Sequence, residues 1–342
     1  AVAASILLSW LTYRLVEKPL RFGTFGRVKA AGLLVAMVII GTIGFTCYHT
    51  KGFPNRNVVM VNPGSKSGFA GGIDPKLLRN DCGIPEKFGL AYCARDARQK
   101  PVYALIGDSK AAALFQGLFR TSHRGGRWLF MGGNNNQGSP APILSENPIY
   151  ERYQDLANIA LNRVIAREEI EWVVLVAATR VLFDLNTDKS IESLPANENY
   201  DEALLGMGRA VNRLLAAGKK IILLVDNPTF PDPKDCMNRQ TGSAAANRLL
   251  LDNPNEKCSI TIEHHLELSA QYRQLLQEIA ARNPDTVKIF DTTGYLCETD
   301  KGVCRSHKDG RLLYSYSDHI SDYAAGLIGR GINDFLRAEK KN

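Results

Sequence analysis

The chain has 342 residues, of which 23% are charged, and its formal net charge is +7. This length supports one sizeable domain with additional elements, and no low-complexity tract or internal repeat is evident. The positive charge is concentrated, because residues 1–56 hold seven Lys or Arg and one acid, whereas the remainder holds 35 basic and 34 acidic residues. A nucleic-acid partner is therefore not indicated, and a basic excess bordering apolar sequence favours a membrane.

The first fifty residues have the pattern of membrane helices. Residues 30–48 are an uncharged apolar run of 19 residues, about enough to cross a bilayer as a helix. Residues 1–20 contain a shorter apolar piece, interpreted as the end of an earlier membrane helix, and 21–29 form a basic loop. Short basic loops stay in the cytoplasm, so the chain is expected to emerge on the outer side. A signal peptide is the alternative, but the run is internal, long and not closely followed by an Ala-x-Ala site.

Residues 49–100 are rich in Pro and Gly and show little periodicity. They predict an extracytoplasmic linker that packs on the domain after it.

Six of the seven cysteines fall into three close pairs, each enclosing a polar stretch. Pairing between neighbours predicts the disulfides Cys82–Cys93, Cys236–Cys258 and Cys297–Cys304. Disulfides require an oxidising compartment such as the periplasm. A zinc site is the alternative, although no C-x-x-C spacing occurs and the nearby histidines do not complete a tetrahedral set.

Residues 101–342 alternate short apolar runs with amphipathic stretches. Strands are predicted at 102–106, 128–131, 172–177, 221–225 and 287–290, and helices at 110–120, 150–168, 201–217, 261–282 and 321–339. Continuous apolar, β-branched-rich runs separated by helices predict an α/β fold with a buried parallel sheet and helices on both faces. In such sheets the active site lies outside the carboxyl ends of the strands.

The sequence Ile-Gly-Asp-Ser-Lys at 106–110 ends the first of these strands. It puts Ser109 on a strand-to-helix turn, where a hydroxyl can act as a nucleophile and helix N-terminal amides can bind an oxyanion. The alternative is an Asp-Ser helix cap without catalytic use.

Segment 287–325 combines a strand, a cysteine hairpin, the sequence Ser-Asp-His-Ile-Ser at 317–321 and a final helix. In this order, and with Gly-Asp-Ser upstream, it resembles the SGNH-type domain fused to bacterial acyltransferase-3 (AT3) membrane proteins. Residues 7–21, LLSWLTYRLVEKPLR, resemble the last helix of the AT3 membrane domain. The resemblance covers essentially the whole chain as the C-terminal portion of a larger protein, and it implies an SGNH-hydrolase-like, flavodoxin-like fold.

The resemblance also assigns roles to residues. Ser109 is the implied nucleophile, and His319 is the implied general base, since imidazole can accept the serine proton and return it to a leaving group. The amide of Ser109 and that of Gly133, with Gly132 as the alternative, are the implied oxyanion donors. A flexible turn is the other interpretation of the glycine–asparagine stretch.

Two positions depart from the family pattern. The Asp that usually lies three residues before the histidine is replaced by Tyr316, so Asp318 is the candidate acid and a solvated loop charge is the alternative. The asparagine of the third block is absent, and Arg180 follows the strand there. Arg180 is the candidate oxyanion donor or substrate clamp, with an exposed, structurally neutral arginine as the alternative.

The implied activity is O-acetylation of an extracytoplasmic glycan such as an O-antigen. Acetyl groups would come from cytoplasmic acetyl-CoA through the AT3 domain of the same protein, and acyl-Ser109 would pass them to a sugar hydroxyl. No cofactor or metal is expected on this chain; its partners are the AT3 domain, the lipid bilayer and a polysaccharide acceptor. The expected location is the inner membrane, with the SGNH domain in the periplasm. A glycan acetyl esterase and a non-catalytic glycan-positioning module are the alternatives.

Overall fold

The computed structural model describes most of the chain. The described residues are 2–22, 24–49, 78–79, 92–97, 99–122, 127–133, 138–185, 197–230, 258–308, 311–316 and 318–340. The chain divides into two compact units, Ala1–Val61 and Asn62–Asn342, and each is described by itself.

The first unit is helical. Helix α1 (Val2–Thr12) continues through a π-helical turn (Tyr13–Glu17) into α2 (Lys18–Phe22), and α3 spans Gly26–His49. Within the described part of the chain, α3 is the one helix long and apolar enough to cross a membrane. Its apolar side chains are exposed all round and none is buried, which is the surface that a lipid environment accommodates.

The second unit is built on β-structure. Its described strands are β1 Leu78–Arg79, β2 Tyr92–Asp96, β3 Tyr103–Gly107, β4 Trp128–Gly132, β5 Trp172–Val176, β6 Lys220–Leu224, β7 Ser259–Thr261, β8 Val287–Phe290, β9 Cys297–Glu298, β10 Val303–Arg305, β11 His307–Lys308, β12 Arg311–Leu312, β13 Tyr314–Tyr316 and β14 His319–Ile320. Seven of these described strands form one sheet in the order β1-β2-β4-β3-β5-β6-β8. The strands β4, β3, β5, β6 and β8 are mutually parallel, while β1 and β2 are antiparallel additions at one edge.

Helices cover the sheet. They are α4 Ser109–Thr121, α5 Glu151–Ile165, α6 Thr179–Leu182, α7 Tyr200–Ala216, α8 Ile262–Leu268, α9 Ala270–Ala281, α10 Thr293–Leu296 and α11 Asp322–Glu339, with 3₁₀ turns at Pro148–Tyr150 and Thr299–Lys301. Along β3, Ala104 and Ile106 join one buried apolar cluster, whereas Leu105 joins another. Successive strand residues point to opposite faces, so these clusters are the two cores on either side of the sheet. The predicted parallel sheet with helices on both faces is confirmed.

The strand order locates a crevice. In chain order, the parallel strands β3, β4, β5, β6 and β8 occupy the flavodoxin-like arrangement 2-1-3-4-5. The order reverses between β3 and β5, and ligands of open α/β sheets bind outside the carboxyl ends of strands at such a point. The segments that follow β3 and β5 therefore border the expected ligand site.

Three local predictions differ from the structure. Helices α2 and α3 extend into the range 21–29 that was predicted to be a basic loop, since α2 ends at Phe22 and α3 begins at Gly26. Strands β1 and β2 lie within the range 49–100 that was predicted to be a linker, so the sheet begins before residue 101. Strand β2 is antiparallel to both of its neighbours, β1 and β4, and an antiparallel strand does not require a continuous apolar run. Its sequence, Tyr-Cys-Ala-Arg-Asp, therefore carries little strand signal. The helix predicted over 261–282 is divided at Ser269, whose hydroxyl donates to the carbonyl of His265 at 2.7 Å.

Candidate active site

Ser109 begins α4 immediately beyond the carboxyl end of β3. A Cβ atom on Gly107 would lie 2.1 Å from the carbonyl oxygen of Val176, so only glycine lets β3 approach the end of β5 this closely. Asp108 is the N-cap of α4, and its buried carboxylate accepts from the amides of Lys110 at 2.9 Å and Ala178 at 2.7 Å. The capping role thus belongs to Asp108, and Ser109 is a half-buried residue of the first helical turn.

Burial raises the pKa of the Asp108 carboxyl, against the two backbone hydrogen bonds that lower it. Its hydrogen bonds to the amides of Lys110 and Ala178 tie the beginning of α4 to the residues after β5, across the reversal of strand order.

Helix α4 is packed directly against α11, the helix that follows β14. A Cβ on Gly117 would meet the carbonyl oxygen of Ala325 at 1.9 Å, and one on Gly329 would meet the Gly117 carbonyl carbon at 2.5 Å. Backbones in such close contact leave no room for sliding. Asn333 on α11 adds hydrogen bonds to Leu118 and Thr121 of α4. The position of the serine helix is thereby fixed relative to the segment that carries His319.

His319 begins β14, which pairs irregularly with β13 and contacts α4. Its Nδ1 lies 2.7 Å from Oδ1 of Asp318, and both side chains are buried, with exposed fractions of 5% and 6%. A carboxylate bonded to Nδ1 orients the ring and stabilises the imidazolium that forms when Nε2 accepts a proton. The structure brings Asp318 and His319 together as a pair beside the helix that begins at Ser109.

Asp318 is surrounded by cations and is not a solvated loop charge. Arg180 Nη2 lies 2.5 Å from its Oδ2, and Lys110 Nζ lies 3.8 Å from the same oxygen. Burial would raise the pKa of Asp318, but the hydrogen bond to His319 and the charges of Lys110 and Arg180 hold this pKa well below its usual range. The carboxylate is therefore ionised throughout the neutral pH range.

Arg180 lies in α6, directly after β5. Its side chain is 39% exposed, and its ion pair with Asp318 shows that it is not a neutral surface arginine. Because one guanidinium nitrogen binds the Asp318 carboxylate, Arg180 is connected to the Asp318–His319 pair through this carboxylate. The role of Arg180 as an oxyanion donor or substrate clamp stays a prediction.

Gly133 follows β4 and has a positive φ of 92°, a conformation that favours glycine. Its amide donates to the carbonyl oxygen of Asp108 at 3.1 Å, which places it beside the serine turn but occupies that N–H. A Cβ on Gly132 would lie 2.5 Å from the ring of Phe130 and 2.8 Å from the carbonyl oxygen of Gly107. The oxyanion role of Gly133 stays a prediction, and residues 134–137 lie outside the described part.

Three polar residues of this region were missed in the sequence. Lys110 Nζ contacts Asp226 Oδ1 at 2.9 Å and Asn227 Oδ1 at 3.3 Å, and it donates to the carbonyl oxygen of Asp318. Asp226 in turn accepts from the amide and the hydroxyl of Thr179, both at 2.9 Å. A signal was present: Asp226 and Asn227 come directly after the predicted strand 221–225, at the same sheet edge as Ser109.

Of the five cysteines in the described part of the chain, four are disulfide-bonded and Cys47 is free. Cys297 and Cys304 are bonded between β9 and β10. Cys93 and Cys258 are also disulfide-bonded, while their predicted partners Cys82 and Cys236 lie outside the described residues. Within the described residues, no group of three or more His, Cys, Asp or Glu side chains could hold a metal ion.

Comparisons with known proteins agree with this architecture. The family model described as "SGNH domain (fused to AT3 domains)" matches residues 80–334. No curated protein matches the sequence. Among solved structures, the lipopolysaccharide acetyltransferase periplasmic domain of Salmonella ser. Paratyphi A is 13% identical with a TM-score of 0.48, covering 70% of this chain and 85% of that one. The native aryl esterase of M. smegmatis is 13% identical with a TM-score of 0.38, covering 70% of this chain and 99% of that one.

A GDSL-like lipase of Bacteroides thetaiotaomicron is 12% identical with a TM-score of 0.37, covering 75% of this chain and 96% of that one. With identities of 12–13% and TM-scores below 0.5, these likenesses assign no activity to this chain. The family match rests on its own coverage, which includes the serine turn, the Asp318–His319 pair and the whole sheet apart from β1. Fusion to AT3 domains and the apolar helix α3 together indicate membrane anchoring. The chain belongs to the family of SGNH domains that are fused to AT3 membrane domains.

Proposed function

We propose that this chain transfers an acetyl group to a sugar hydroxyl of an extracytoplasmic glycan, such as an O-antigen, through an acyl-serine at Ser109. The observation that carries the proposal is the 2.7 Å contact between His319 Nδ1 and Asp318 Oδ1, in a hairpin that contacts the helix beginning at Ser109. A serine at a strand-to-helix turn with an oriented imidazole nearby is the arrangement that acyl transfer requires.

The reaction divides into two half-reactions. First, His319 Nε2 accepts the Ser109 hydroxyl proton while Oγ attacks the acyl carbonyl carbon, and the leaving group departs with that proton. Second, His319 accepts the proton of a sugar hydroxyl, whose oxygen attacks the acyl-serine carbonyl, and Ser109 leaves with the proton. The ionised Asp318 stabilises the imidazolium in both half-reactions. The amide of Ser109, at the N-terminus of α4, is the proposed donor to the developing oxyanion.

Membrane attachment favours transfer over hydrolysis. Acetyl groups from cytoplasmic acetyl-CoA would reach this domain through the AT3 domain of the same protein, on the outer, periplasmic side of the inner membrane. Tethering raises the effective concentration of the acyl donor at the serine. A free esterase would need no such attachment.

The full chain, purified in detergent from an oxidising compartment, should become acetylated by a chromogenic acetyl ester. Intact mass is measured for the wild type, for Ser109→Ala and for Ser122→Ala, which removes a hydroxyl at the other end of the same helix. The expected result is a gain of one acetyl group in the wild type and Ser122→Ala, and none in Ser109→Ala. Equal acetylation of Ser109→Ala would overturn the proposed nucleophile.

Transfer and hydrolysis are then separated with an acceptor. The acetyl-enzyme is incubated with de-O-acetylated O-antigen polysaccharide, and acetyl on the glycan is quantified against free acetate. Acetyl on the glycan supports the transferase, whereas acetate alone makes the protein an esterase. Glycan binding with no acetyl-enzyme at all leaves a positioning module.

A further inference from the structure

Lys110, the residue directly after the candidate nucleophile, is a buried lysine whose side chain is only 4% exposed. It lies in the first turn of α4, where the helix dipole disfavours a cation. Burial of an ammonium group is also costly unless the charge is paired and hydrogen-bonded. A lysine at this position therefore needs strong compensation, which its partners must supply.

Its partners come from two distant segments. Asp226 and Asn227, beyond the end of β6, contact Nζ at 2.9 and 3.3 Å, and the carbonyl oxygen of Asp318 accepts from it before β14. Asn227 Nδ2 donates to the same carbonyl at 3.1 Å. Lysine and asparagine thus bind the main chain of Asp318, while Arg180 binds its carboxylate.

We propose that Lys110 is a positioning residue that ties the Asp318–His319 turn to the serine turn. It thereby keeps the imidazole of His319 and the hydroxyl of Ser109 in a fixed relative position. The inference rests on the proposed acyl-serine function and deepens it. Asp318 is adjacent to the histidine in sequence, and such a neighbour orients imidazole only when its own main chain is fixed. Lys110 supplies this fixation 208 residues away along the chain.

A purely structural ion pair is the competing explanation, and it makes a different prediction. If Lys110 serves only to neutralise Asp226, removing both charges together should restore stability and activity alike. If it positions the turn, stability should return without activity, because Asn227 alone then binds the Asp318 carbonyl. The charge-matched double variant Lys110→Met/Asp226→Asn distinguishes these cases.

The experiment compares Lys110→Met, the double variant and Lys219→Met in the full chain. Lys219 is a matched control, because as a whole residue it is 4% exposed against 5% for Lys110, and it donates to two carbonyls, of Arg167 and Ile170. It lies at the amino end of β6, away from the carboxyl ends of the strands. Thermal unfolding, kcat and KM for a chromogenic acetyl ester, and the NMR signal of the His319 Nδ1 proton are measured. His319→Gln assigns the signal.

For the double variant we expect a Tm near that of the wild type, a kcat lower by about 10–100-fold with little change in KM, and a shifted or exchange-broadened His319 signal. Lys219→Met should lower only the Tm. A folded double variant with wild-type kcat and an unchanged His319 signal overturns the inference. Ser109→Ala, assayed in parallel, tests the underlying function: if it retains turnover, the acyl-serine proposal fails, and the NMR signal still decides whether Lys110 fixes the turn.

Discussion

His319 and His265 are both buried, but they face groups of opposite charge. His319 Nδ1 lies 2.7 Å from the carboxylate of Asp318, whereas His265 Nε2 lies 3.5 Å from the guanidinium of Arg273. Burial, followed by the charge of Arg273, lowers the pKa of His265 to about 4. Burial by itself does not make a base: a carboxylate partner supports the imidazolium that catalysis forms, and a guanidinium opposes it.

Removing each imidazole in turn is the most direct test of the difference between the two histidines. His319→Gln should lower acetyl-ester turnover by about 10²–10⁴-fold, the usual contribution of a general base. His265→Gln should leave turnover unchanged, because His265 touches Arg273 and Thr293 rather than the pair beside Ser109. Steady-state kcat/KM at neutral pH is the measurement, and comparable losses in both variants would contradict the assignment.

Removal of the acid should give the next largest effect. Asp318→Asn should lower kcat by about 100-fold or more, since the imidazolium loses its stabilising charge and the ring its preferred tautomer. Asp291→Asn is the matched control, because Asp291 is also held by an arginine, Arg273, at 2.6 Å. Pre-steady-state acylation monitors the step directly, and an unimpaired Asp318→Asn would remove this residue from the mechanism.

His265 should contribute a pH dependence of stability. Its folded pKa of about 4 lies below that of an unfolded histidine, so the unfolded chain binds the extra proton first as the pH falls. Stability is then lost between about pH 6.5 and pH 4, by ~3 kcal/mol in total. Urea unfolding of the wild type and His265→Gln across this range is the measurement; parallel curves would contradict the expectation.

Arg180→Met should have the smallest effect, about tenfold on kcat, because His319 and Lys110 still contact Asp318. Without the guanidinium, the pKa of Asp318 rises toward its usual value. The depressed pKa contributes stability that is present above about pH 4 and lost as the pH falls further, so the variant should lose less stability there. Acid unfolding beside Arg209→Met, which removes a surface arginine, tests this.

A larger role for Arg180 is also testable. A loss of kcat far beyond tenfold, with the acid-unfolding profile unchanged, would move Arg180 from support of Asp318 to direct contact with the substrate. That result would revive its predicted role as an oxyanion donor or clamp.

Much of the fold was predictable because its signals are local. Each of the five predicted strands is present to within one residue at either end, since buried parallel strands read as continuous apolar runs; they are β3, β4, β5, β6 and β8. Strand β2 was missed because its sequence, Tyr-Cys-Ala-Arg-Asp, contains no such run. The candidate serine was also found locally, as a Gly-Asp-Ser turn at the end of a strand.

The sequence by itself determined the helix–strand alternation, the apolar helix α3, the serine turn and the placement of His319 before the last helix, because each depends on residues close together in the chain. Only the tertiary structure decided which charges surround Asp318. The partners Arg180 and Lys110, with Asp226 on the far side of the lysine, come from different strand ends, and Lys110 and Asp318 lie 208 residues apart. Such pairs leave no periodic pattern, since they are selected by burial and charge in three dimensions once the sheet has brought the strand ends together.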